Sequence, residues 1–232
     1  MKNFFVKLYK SAVELNHRNI VNMLGKNLKA VFLDLGCDDG ELSMLLARKI
    51  GTKKVYGVEI LDNSIRQARE KGIKVTKLDL NKKLNFDDNY FDVIHCNQTI
   101  EHLNDSDRFL AEMYRVLKPN GYAIVSTENA SSWCNIFASI MGWQIFSLTN
   151  FSSKKGGIGN PFAIHKKDAL GISSWNHIRI YNIRGLKEYF EAFDFYVEKI
   201  SGAGYFPLPA IIGNIDKTHC HLMTFKIRKV TK

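Results

Sequence analysis

No CxxC pair, no GxGxxG motif and no apolar run approaching membrane-spanning length occurs in these 232 residues. The first absence, with Cys37, Cys96, Cys134 and Cys220 scattered along the chain, argues for free thiols rather than disulfides. The second weakens a dinucleotide-dependent dehydrogenase reading. The N-terminal MKNFFVKLYKSAVELNHRNIVNMLGK lacks the apolar core of a secretory leader, so the cytoplasm is the expected location. Repeats and low-complexity tracts are absent as well, which excludes solenoid architectures.

What is present is the composition of an ordinary globular protein, with 45% hydrophobic and 24% charged residues in a length that fits one elaborated α/β domain. The net charge of +10 is unevenly spread. Residues 1–29 hold 6 basic and 1 acidic side chains, residues 30–130 hold 14 and 16, and residues 131–232 hold 13 and 6. A basic excess flanking a near-neutral centre suits an anionic partner such as a nucleic acid, an acidic membrane face or a phosphorylated substrate, and equally a merely solvated surface.

The centre is organised around AVFLDLGCDDG (30–40). A strand-like run from Val31 to Leu35 enters a glycine-containing turn, and Leu42, Leu45, Leu46 and Ile50 behind it have helical spacing. Gly36 and Gly40 would let backbone N–H groups approach a ligand, and Cys37 fits as a small residue in the tight loop. Asp34, two residues before the first glycine, would repel a pyrophosphate but suit an ammonium group, which S-adenosylmethionine carries; alternatively it is a turn former.

Further strands and helices alternate as expected of a parallel sheet. KVYGVEI (54–60) ends in Glu59, and a helix opens at Asp62 and runs to Gly72. IKVTKLDL (73–80) carries Asp79 near its end, and FDVIHCNQ (91–98) ends in Asn97. A helix over SDRFLAEMYRVLKPNG (106–121) is stopped by Pro119 and Gly121, and YAIVSTEN is the fifth strand. Asp34, Glu59, Asp79 and Asn97 thus fall at the C-terminal ends of four strands, the edge where parallel sheets bind ligands, although each alone is also read as a cap or turn residue. An acid after the second strand is placed to accept two ribose hydroxyls.

VFLDLGCDDG, the acidic end of VYGVEI, Leu78–Asp79, FDVIHCNQTIEHL and RVLKPNGYAIVST together resemble the class I S-adenosylmethionine-dependent methyltransferases, in particular the subgroup with EHL after the fourth strand. The resemblance covers 30–129 and implies a Rossmann-like, seven-stranded, mostly parallel sheet with an antiparallel last strand. It implies that Asp34, Gly36 and Gly40 form the methionine-side loop, that Glu59 holds the ribose, that Asp79 and Leu80 flank the adenine, and that Asn97 lies beside the methionine portion, with Cys37 and Ile60 counted among the cofactor-binding residues. Asp38 departs from the glycine of many relatives, but aspartate tolerates left-handed geometry better than most residues.

Methyl transfer to oxygen calls for a base. His102 in the EHL signature is one candidate, and the start of a helix is its structural alternative. His177 in WNHIRIYNIRGL is the leading one, because that segment resembles the HxRxF stretch that precedes the last helix in small-molecule and glycan methyltransferases. Glu101–His102 also resembles the metal site of small-RNA terminal 2′-O-methyltransferases, but Gln98 stands where that family has a second Glu, so no metal is predicted. His219 and His221, alternating around Cys220, lack further ligand spacing.

Residues 1–29 are read as one or two amphipathic helices forming an N-terminal lid, and 30–232 as the methyltransferase domain with a substrate cap inserted at 131–181. In the cap, Trp133, Ile136, Phe137, Ile140 and Met141 repeat at helical spacing and Trp143, Phe146, Phe151, Phe162 and Trp175 follow. This face either packs on the sheet or forms an apolar acceptor pocket or a surface that meets lipid. KKGGIGN and AIHKKD add a flexible, basic stretch. The preferred function is O- or N-methylation of a small-molecule, glycan or lipid-linked acceptor. RNA methylation is the first rival, though NQTI replaces an NPPY-type sequence, and a noncatalytic binding module is the second.

Overall fold

The computed structural model describes residues 2–152, 154–163 and 176–230. Seven strands form one mostly parallel sheet with antiparallel last strands: β1 (Val31–Leu35), β2 (Lys54–Glu59), β3 (Lys74–Lys77), β4 (Phe91–Asn97), β5 (Leu117–Glu128), β6 (Phe195–Ala203) and β7 (Leu222–Lys229). Their order is β3-β2-β1-β4-β5-β7-β6. The helices are α1 (Lys2–Met23), α2 (Glu41–Ile50), α3 (Asp62–Glu70), α4 (Ser106–Val116), α5 (Trp133–Ile140) and α6 (Ile183–Ala192). This is the Rossmann-like architecture that the βα alternation predicts.

The chain divides into two compact units, each discontinuous in sequence. One comprises Met1–Asn19, Thr127–Leu186 and Ile200–Thr224; the other comprises Ile20–Ser126, Lys187–Lys199 and Phe225–Lys232. In the second unit the parallel register Asp34↔Gly57, Glu59↔Lys77 and Asp34↔His95 brings the C-terminal ends of β1 to β4 to one edge. Its core packs Phe32, Val93 and Ile124 from the sheet against Leu46 and Ile50 of α2, Ile65 and Ala68 of α3, and Ile20 and Met23. In the first unit Ala12 and Leu15 pack with Ala203, Ala210 and Leu222. Residues 2–23 therefore form one continuous helix rather than two, and the residues of α1 contribute to both cores.

One boundary departs from the sequence reading. The helix predicted to run to Pro119 ends at Val116, and β5 starts at Leu117 with Pro119 and Gly121 inside it. Two forces end α4 early. Lys118 precedes a proline, which disfavours helical backbone, and Leu117 instead pairs with Phe91 of β4. Lys229 fixes the junction, its ammonium donating to the carbonyls of Tyr114 and Leu117 and to Asn89.

Within the 131–181 segment, α5 is followed by a 3-10 turn at Phe146–Leu148 and an irregular loop. That loop is closed by Gln144 N–H donating to Gly159 O and Ile158 N–H donating to Thr149 O. Trp175 and residues 164–168 of the AIHKKD stretch lie outside the described residues.

Candidate functional site

The turn after β1 is shaped by its neighbours in the fold as much as by any ligand. Gly36 sits at φ +81°, and a Cβ there would stand 2.6 Å from Thr99 Oγ1. Thr99 Oγ1 also donates to the carbonyl of Leu35 at the end of β1, so the loops after β1 and β4 are pressed together. A Cβ on Gly40 would meet Ile73 and Ala68, which makes that glycine a packing requirement. Cys37 is buried with its sulfur against Gly57, and burial pushes its thiol up, as expected of an inert small residue.

Asp34 has its partners inside the protein. Its carboxylate is buried, 2% exposed, and both oxygens are engaged inside the protein. Ser43 Oγ donates to Oδ2 at 2.5 Å, and His95 Nδ1 lies 2.7 Å from Oδ1. Asp34 is therefore the post that ties α2 and β4 to the end of β1, and an ammonium group would have to compete with two internal donors for it. His95 and Ser43 were not singled out in the sequence. The signal was available, since His95 stands in the middle of a predicted buried strand.

Glu59 accepts three N–H bonds, from Ile60 and Leu61 on Oε1 and from Asp38 on Oε2. A carboxylate offers roughly four acceptor positions, so one on Oε2 is still open to a ligand hydroxyl. Asp38 adopts φ +43°, the left-handed geometry anticipated for it, and Ser64 Oγ anchors its side chain at 2.7 Å. Ile60, next to Glu59, is 43% exposed, an apolar side chain left at the sheet edge. Beyond β3, Asp79 engages Asn81 through Oδ1 alone, and Leu80 is buried. Asn97 ends β4 and is partly buried. The structure thus brings the predicted cofactor residues to one edge of the second unit, with Gly40 and Cys37 in supporting positions.

Of the two base candidates, His102 lies in a 3-10 turn at Ile100–His102, next to the buried Glu101. In the first unit, His177 Nδ1 is 2.7 Å from the carbonyl oxygen of Ser147, which only accepts. Nδ1 is therefore the donor in that contact. Glu128 Oε2 stands 4.0 Å from the same Nδ1. His219 and His221 do not converge: His219 pairs with Asp216 and stacks on Trp133, whereas His221 faces Cys134.

A model of the methyltransferase domain family matches residues 9–200. The chain belongs to that family. S-adenosylmethionine is the family's cofactor, and the residues at the sheet edge fit it, with a carboxylate retaining an open acceptor position beside an exposed apolar side chain, the pairing that a ribose and an adenine require. The chain is similar to the ubiquinone biosynthesis O-methyltransferase of Rickettsia conorii, 30% identical over 124 residues, which are 50% of this chain and 42% of that protein. It is also similar to the 2-phytyl-1,4-naphtoquinone methyltransferase of Nostoc punctiforme, 38% identical over 102 residues, 40% of this chain and 44% of the other. These matches span about half the length of those relatives. A solved S-adenosylmethionine-dependent methyltransferase from Mesorhizobium loti shares the fold, with TM-score 0.62 and 18% identity over 95% of this chain and 99% of that one.

Proposed function

We propose that this methyltransferase moves a methyl group from S-adenosylmethionine to a hydroxyl oxygen of a small, lipid-linked ring acceptor of the quinol type. The observation that carries the cofactor half is Glu59, whose Oε2 has an acceptor position to spare at the end of β2 beside the exposed Ile60. The acceptor half is supported by the relatives named for quinone methylation. When bound, the cofactor supplies an electrophilic sulfonium methyl and is left as the thioether S-adenosylhomocysteine. Glu59 would accept from the ribose with Ile60 beside it, Asp79 and Leu80 would flank the adenine, and the Gly36 turn with Asn97 would hold the methionine portion. Asp34, Ser43 and His95 hold that turn still, so that alignment is prepaid in the fold. His177 is the base that receives the hydroxyl proton and passes it to solvent.

Calorimetric titration with S-adenosylmethionine and NAD, followed by label transfer to a short-chain hydroxylated benzoquinol, tests the reading. Binding of the first cofactor alone, with label in the quinol, is expected. Label transferred to glycans or RNA and not to the quinol would replace the acceptor class, and cofactor binding with no transfer at all would favour a binding module.

A further inference from the structure

In α5 the usual arrangement of an amphipathic helix is inverted. Its buried residues are Asn135 and Ala138, while Trp133, Phe137 and Ile140, with Met141 just beyond, lie on one exposed face at i, i+4, i+7 and i+8. Ile140 is 78% exposed. Of the readings that the sequence leaves open for this stripe, packing on the sheet does not hold for these four residues.

The orientation is built in. Asn135 Nδ2 donates to Asn129 O and Ser147 Oγ, and its Oδ1 accepts from Ser147 N–H. Rolling the apolar face inward would break three buried hydrogen bonds, so the stripe is held outward by a polar lock. Trp133 is fixed as well, its indole N–H donating to Tyr205 OH at 2.6 Å while its ring stacks on His219. Tyr205 OH continues the chain to Asp216. Through these contacts the stripe adjoins the 205–216 segment, which exposes Ile211 and, at 82%, Ile215.

We infer that this face docks the enzyme on an anionic membrane surface. Charge selects that occupant. The unit that carries the stripe has 11 basic and 4 acidic residues, a net +7, against +3 for the rest of the chain. Lys154 and Lys155 are exposed on the loop closed at Gln144 and Thr149, and Lys217 is exposed beside Asp216. Trp, Phe and Ile on one exposed face, in a unit that also exposes these lysines, suit insertion at the headgroup boundary and attraction to acidic lipid. A second copy of the same face would bring two net-positive surfaces together, which disfavours self-association. No helix among the described residues is long and apolar enough to cross a membrane, so the contact is interfacial. The inference deepens the lipid-linked acceptor reading and rests on it for its purpose, because such an acceptor resides in a bilayer.

The test is co-sedimentation of the full chain with phosphatidylcholine vesicles, with and without phosphatidylglycerol, at low and high salt. Binding is expected with phosphatidylglycerol at low salt, weakened by high salt, and reduced about tenfold by Ile140→Asp or by Lys154→Glu combined with Lys155→Glu, with the melting temperature unchanged. Absence of vesicle binding by the parent chain would overturn the inference. So would binding that neither variant alters, or a concentration-dependent dimer that Ile140→Asp abolishes, which would give the face to a second copy. Methyl transfer to a detergent-solubilised quinol, measured on the same preparation, separates the two readings: transfer without vesicle binding defeats only the docking face, and vesicle binding without transfer defeats only the quinol assignment.

Discussion

His95 Nδ1 lies 2.7 Å from Asp34 Oδ1, between neighbouring parallel strands, and both residues are 2% exposed. With Ser43 on the other oxygen, each oxygen of the carboxylate at the start of the glycine turn has a partner inside the protein.

The first prediction follows from that pair. Breaking a buried pair from one side costs about 3–5 kcal/mol, so Asp34→Ala should lower the melting temperature by about 10 °C for a chain of this size. His95→Phe, which removes the donor but fills the space, should cost less, while still weakening S-adenosylmethionine binding through a loosened turn. Differential scanning calorimetry with a cofactor titration checks both. A fully stable Asp34→Ala variant that merely loses cofactor affinity would restore direct ligand contact as the role of Asp34.

Glu59 sits where ligand and fold compete for the same oxygens. Glu59→Ala should weaken S-adenosylmethionine binding at least ~10-fold, about 1.4 kcal/mol, because the ribose loses its acceptor. The loss of the N–H partners at Asp38, Ile60 and Leu61 should appear as a smaller drop in stability. Unchanged affinity by calorimetry would remove Glu59 from the site.

His177→Ala should lower turnover by about 10²-fold or more while leaving cofactor affinity close to that of the parent. His177→Asn is the informative companion. It retains a donor for Ser147 O but has no ring lone pair at the Nε2 position, so a base role predicts that it is as slow as the alanine variant, whereas a purely structural role predicts recovery.

A pH dependence attaches to Glu112. Hydrogen bonding to Arg115 holds its carboxyl below the usual value of 4.5, against the opposing effect of partial burial, and Leu84 N–H adds a further bond. A carboxyl whose folded pKa is depressed contributes stability above its unfolded pKa and loses it as pH falls through the folded value. Glu112→Gln should therefore melt lower than the parent at neutral pH, with the gap closing as the solution is acidified toward pH ~3. A gap that is constant with pH would mean that the charge of Glu112 contributes nothing.

By itself the sequence determined the parallel sheet and the edge at which its candidate site residues gather. Buried β-branched and aromatic strands separated by capped helices leave little choice of topology, and the acidic residues at strand ends identify the edge from spacing alone. It also showed that Asp38 would tolerate a left-handed turn. The tertiary structure decided what needed a partner distant in the chain. Asp34 turned inward because His95, sixty-one residues away, stands opposite it in register. Gly36 is dictated by Thr99. The end of α4 was set by pairing of Leu117 with Phe91, which local helix signals do not record. The apolar stripe of α5 faces outward because Asn135 found three hydrogen bonds inside, and helical periodicity reports that a face exists without saying which way it turns.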